Sequence, residues 1–171
     1  MNKGFTLVEL MIAIAISSFL VLAVSLSYSS IKTITNTTTE LENAQEVLRY
    51  TSQIFIRSMK QTQSDPTVDA SGETITVQQS ANSLSCIGTT PTTDFTETFT
   101  LSGDNRLTCD IGAGAQDILR GLTQISFNYN NATRILTVNV SPEGLPLNYG
   151  GSVTINIAAS TLWLNDYFGN I

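Results

Sequence analysis

Histidine is absent from this 171-residue chain, and with it go the commonest general base at neutral pH and the commonest protein metal ligand. Without it a catalytic site would need paired carboxylates or an activated Ser or Thr, and no spacing argues for either, so neither an enzyme nor a resident cofactor or metal is expected. Charge is also sparse: Asp, Glu, Lys and Arg make up 13% of the residues, the formal net charge is −6 and the pI is near 4.4. Such a surface does not attract polyanions. Arg49, Arg57 and Lys60 fall on one predicted helix and Arg106, Arg120 and Arg134 are scattered; with no basic cluster, no nucleic-acid partner is expected. Proline is missing until Pro66, so nothing before it breaks a helix. There are only two cysteines, Cys86 and Cys109. Their even number beside an export-type N-terminus fits a disulfide in an oxidising compartment, worth roughly 3 kcal/mol in the chain-entropy model. Two unpaired buried thiols are the alternative reading.

What is present begins at once. Phe5 to Leu26 is apolar apart from Glu9 and small hydroxyl residues. As a helix this stretch extends roughly 33 Å, about one hydrocarbon core. Lys3 ahead of it favours a cytoplasmic N-terminus, with the remainder outside. Ala23-Val24-Ser25 resembles a secretory cleavage pattern, but the apolar stretch exceeds an ordinary signal region and carries an acid. An ionisable residue within a span costs on the order of 2.5 to 3.5 kcal/mol at its centre, which marks a function with a partner. Glu9 requires a cation.

Gly4-Phe5-Thr6-Leu7-Val8-Glu9, behind a short basic leader and ahead of the span, resembles the processing site of type IV pilins and pseudopilins. The resemblance implies that a prepilin peptidase cuts after Gly4, that Phe5 becomes a methylated N-terminus, and that Glu9 attracts the new amine of a neighbouring subunit. A glycine before the scissile bond leaves an extended backbone unobstructed. The implied partners are other pilin subunits, the prepilin peptidase, an inner-membrane assembly platform and the membrane itself. The implied location is the bacterial inner membrane, single-pass with the globular domain in the periplasm, and then a pilus or a periplasmic pseudopilus.

Beyond the span, residues 28–39 are rich in Ser and Thr and of modest helix propensity, where fraying or local melting is expected. Leu41, Ala44, Leu48, Phe55 and Met59 then recur near helical spacing, so an amphipathic helix runs to about Gln61 and Asp65-Pro66 ends it. Thr39-Glu40-Leu41-Glu42 has the form of a capping box, although one continuous helix is the simpler picture. Strands are expected at Thr74 to Gln78, Phe95 to Leu101, Leu122 to Tyr129, Ile135 to Val140 and Val153 to Ala158, with a hairpin connection at Tyr129-Asn130-Asn131-Ala132. The sequons at Asn36 and Asn131, and the glycines at 112, 114, 150 and 151, are assigned no function.

The expected architecture is therefore α+β and type IV pilin-like: a long N-terminal helix, membrane-spanning in its first half and amphipathic in its second, packed on an antiparallel sheet. The expected organisation is a leader at 1–4, a transmembrane and assembly segment at 5–27, an amphipathic helix at 28–62 and a β-rich domain at 63–171. The order helix, late strands and Leu145-Pro146 before Val153 to Ile157 is similar to W-type minor pilins and J-type minor pseudopilins. The resemblance implies a minor pilin subunit, with a type II secretion pseudopilin as the alternative and an anchored binding module or adhesin as a third class.

Overall fold

The computed structural model describes residues 6–145 and 150–169, the side chains of 163 and 165–167 excepted. Gly4, Phe5 and Pro146 lie outside the described residues. Two compact units divide the chain, residues 1–39 and 40–171.

The described part of the first unit is helical. Helix α1 (Leu7–Gln61) begins here, and every side chain from Thr6 to Glu40 is exposed. Its hydroxyl residues do not disturb it because they bond within it: Ser17, Ser25 and Ser27 donate to the carbonyls four residues back, at 2.7–3.0 Å. The Ser/Thr-rich stretch at 28–39 is helical too, with Thr33, Thr35, Thr37, Thr38 and Thr39 each bonded to the carbonyl four residues earlier. These bonds leave the hydroxyls satisfied on their own helix, although they add nothing to its intrinsic propensity. Thr39-Glu40-Leu41-Glu42 starts no new helix, since α1 runs through it.

The second unit contains the rest of α1 and all the strands. β1 (Thr67–Val68), β2 (Thr74–Gln79), β3 (Phe95–Ser102), β4 (Arg106–Asp110) and β5 (Gln116–Arg120) form a five-stranded antiparallel sheet in sequence order. β6 (Leu122–Asn130), β7 (Ile135–Pro142) and β8 (Val153–Ala158) form a three-stranded antiparallel sheet. A short helix, α2 (Ser160–Phe168), follows. The β6–β7 hairpin turns beyond Asn130, whose side-chain oxygen accepts the N–H groups of Ala132 and Thr133.

The sheets meet at Gly72, whose carbonyl accepts the Phe127 N–H at 2.7 Å. Gly72 has φ +74°, and an added Cβ would stand 3.2 Å from the Phe127 carbonyl oxygen, so both conformation and space ask for glycine.

Alternation along the strands builds one core against the second half of α1. Val47, Ile54, Phe55 and Met59 pack with Ile75, Val77, Phe99 and Leu107 of the larger sheet and with Ile125, Phe127, Leu136 and Val138 of the smaller one. Phe55 links the two sheets, its ring centroid 4.9 Å from that of Phe99 and 5.2 Å from that of Phe127. On the opposite face of the larger sheet, Thr74, Thr100 and Thr108 stand in register across three strands and Thr76 pairs with Thr98.

α1 ends where Thr62 turns its hydroxyl to the carbonyls of Ser64 and Gln78. Tyr129 then donates its phenol hydrogen to the Asp65 carboxyl, tying β6 to the turn after the helix. Burial first, and then this hydrogen bond and the charge of Asp65, push the Tyr129 phenol well above the ordinary tyrosine range.

Two measurements follow. Phe55→Ala removes a ring shared by both sheets and should destabilise the second unit by about 3 to 5 kcal/mol, read from denaturant unfolding of the full chain in detergent. In an absorbance titration of the phenols, Tyr129 should stay protonated where exposed tyrosines ionise, near pH ~10. Because its folded value is the higher one, its contribution to stability is complete below the unfolded value and is lost as pH rises through the folded one, a dependence that Tyr129→Phe should remove.

Candidate assembly site

The functional residues expected near the N-terminus depend on how α1 begins. Thr6 precedes the first helical residue and closes a reciprocal cap with Glu9. The Glu9 N–H donates to Thr6 Oγ1 at 3.3 Å, while the Thr6 N–H and hydroxyl both donate to Glu9 Oε2, at 3.0 and 2.9 Å. The pattern Thr-x-x-Glu ahead of an apolar run is the sequence form of this capping box. The same pattern therefore occurs twice, at Thr6 to Glu9, where it caps the helix, and at Thr39 to Glu42, where it does not. Among the described residues, Glu9 Oε1 takes no hydrogen bond, so one carboxyl oxygen remains open.

Past Glu9 the helix offers little except hydrocarbon. Leu10, Met11, Ile12, Ile14, Ile16, Phe19, Leu20, Val21 and Leu22 are all exposed, and the helix is apolar and long enough to cross a membrane. The run is interrupted on one side by small residues, Ala13, Ser17 and Ser25, which share a helix face with Val21 at four-residue intervals. The Ser17 and Ser25 hydroxyls there are satisfied by the helix's own carbonyls, so they leave no bare donor in an apolar medium. The next charge after Glu9 is Lys32. At ~1.5 Å per residue the two lie about 34 Å apart along the helix, so a span bracketed by them is close to one hydrocarbon thickness.

The other expected pair lies in the second unit. Cys86, in the connection between β2 and β3, is joined by a disulfide to Cys109 of β4, with 6.4 Å between their Cα atoms. Both cysteines are buried in the core. Gly4 and Phe5, the expected processing residues, lie outside the described residues.

Residues 1–25 match the family model described as the prokaryotic N-terminal methylation motif. That match supports the type IV pilin and pseudopilin class. No curated protein and no solved structure matches the chain. Together with the long helix and its antiparallel sheets, a pilin-type N-terminus points to a structural subunit anchored in a membrane rather than to an enzyme.

The cap can be tested directly. Thr6→Ala leaves the Glu9 N–H without its acceptor and removes the hydroxyl donor to the carboxyl, while the backbone N–H of residue 6 remains. Exchange at the Glu9 amide, followed by NMR of the full chain in micelles, should rise about fivefold.

Proposed function

We propose that the chain is a minor pilin: a structural or assembly-priming subunit of a type IV pilus, held in the inner membrane until a filament takes it up. The observation that carries this reading is the methylation motif at residues 1–25, joined to the first part of α1, apolar and exposed throughout, whose first turn carries Glu9.

In this reading residues 1–4 are a leader, cleavage follows Gly4, and the freed and methylated amine of Phe5 is the cation that Glu9 needs. While the subunit waits alone, Thr6 occupies one oxygen of the Glu9 carboxyl and limits the cost of keeping it near the membrane interface. The oxygen left open is where a neighbouring subunit's amine would dock. The attraction grows as the helices close up and water leaves, because charges interact more strongly at low dielectric. Packing of the hydrocarbon face supplies cohesion, and the Glu9 pair supplies register. The second unit, facing the periplasm, distinguishes one neighbour from another.

Mass spectrometry of the mature protein tests the processing step: the expected N-terminus is N-methylated Phe5, and an intact leader on protein taken from filaments would refute the scheme. Glu9→Ala should be cleaved as the wild type is, yet enter filaments at least about tenfold less. Incorporation at the wild-type level would remove the role given to the carboxyl.

A further inference from the structure

The core of the second unit holds a carboxyl group for which the assembly role has no use. Glu97 lies in β3 on the inward face between Phe95 and Phe99, and is 1% exposed. Its Oε1 accepts the backbone N–H of Cys86. Its Oε2 accepts the Ser58 hydroxyl at 2.7 Å and the Gln79 side-chain amide at 3.0 Å. The amide nitrogen of Gln79 also reaches the Ser58 hydroxyl at 2.9 Å and the Ser58 carbonyl at 3.0 Å. Ser58, Gln79 and Glu97 are all fully or almost fully buried, and no ion pair among the described residues includes Glu97.

The three donors come from three segments: Ser58 from α1, Gln79 from β2, and Cys86 from the connection at 80–94. A carboxyl in a dry site is tolerable only while its donors stay in place, and the loss of one exposes the remainder of the network to its full desolvation cost. The Cys86 donor is the one held by a covalent bond. Elsewhere the connection bonds largely to itself, through Ser85 N–H to Thr89 O and Asn82 N–H to Pro91 O, and Ala81 N–H reaches Asp94. The bond from Cys86 to Cys109 of β4, the neighbour of β3, ties to the sheet the residue whose N–H meets the Glu97 carboxyl.

We infer that formation of the Cys86–Cys109 disulfide is coupled through Glu97 to the docking of α1. Closing the bond places the Cys86 N–H on Oε1. The carboxyl, so held, presents Oε2 to Ser58 and locks that turn of α1 onto the sheet. The two thiols give up two protons and two electrons to a disulfide-bearing oxidant by thiol–disulfide exchange. Docking of the helix thus becomes a reporter that the chain has reached an oxidising compartment. The coupling concerns the second unit alone and holds whether or not the chain enters a pilus.

Hydrogen exchange read by mass spectrometry, on the full chain in detergent, tests it. The oxidised protein is compared with protein reduced by dithiothreitol, which returns two protons and two electrons to Cys86 and Cys109 and closes to its own cyclic disulfide. Reduction should speed exchange of the α1 amides from Thr51 to Gln61 about tenfold, with a much smaller change in β7. In Ser58→Ala, with thiol labelling used to confirm that the disulfide forms, reduction should change the same α1 amides less than about twofold. Glu97→Gln should behave alike. Unchanged α1 exchange on reduction overturns the inference. So does an equal rise in α1 and β7, which marks general destabilisation, and so does a full tenfold response in Ser58→Ala. Even if neither variant folds, the comparison of oxidised and reduced wild-type protein can still overturn the inference.

Discussion

A single helix here has to satisfy two solvents. Up to Glu40 no side chain of α1 is covered by the rest of the protein, while from Ala44 onward one side of it is the floor of a core shared by two sheets. The first part can remain helical in lipid only if every polar group is paired within the helix itself, because hydrocarbon offers no replacement partner. The serine and threonine hydroxyls meet that condition by folding back on carbonyls of the previous turn. The cap formed by Thr6 and Glu9 supplies an acceptor to the Glu9 N–H, one of the first N–H groups that have none within the helix.

The same economy makes Glu9 more than an isolated acid. It holds Thr6 with one oxygen, and in the proposed assembly the other would receive a neighbouring subunit's amine, so that helix initiation and partner recognition would draw on a single side chain. A residue with both tasks is poorly replaced by glutamine, which offers only one acceptor oxygen, and is lost altogether with alanine. The polar cluster at Glu97 obeys a related rule in the opposite setting. There the surroundings are protein rather than lipid, and the donors arrive from segments far apart in sequence, so the network specifies which pieces must be in place together.

Much of this architecture was legible in the sequence. Alternation located β2, β3, β6, β7 and β8 to within two residues, and the spacing from Leu41 to Met59 located the amphipathic part of α1 and its end at Gln61. The strands that escaped had weak signals for physical reasons. β1 has two residues, β5 lies at a sheet edge with little buried, and β4 alternates only at Leu107 and Cys109 between the charged Arg106 and Asp110. Division into two sheets depends on contacts such as that between Gly72 and Phe127, which no local pattern encodes. Glu97 could have been found, since the period of Phe95 and Phe99 places it inward, where an acid demands an explanation. The cap at Thr6 was likewise written in the sequence but overshadowed by the apolar run that follows it.

The outward face of the larger sheet is a field of threonines, with Thr74, Thr76, Thr96, Thr98, Thr100 and Thr108 spread over three adjacent strands. Long-range Coulomb forces fade with ionic strength, but hydroxyl and methyl groups act only at contact and are untouched by screening. The threonines would therefore meet a partner alike in fresh water and in brine, while Arg106 and Asp110, which share their face on β4, would feel the difference.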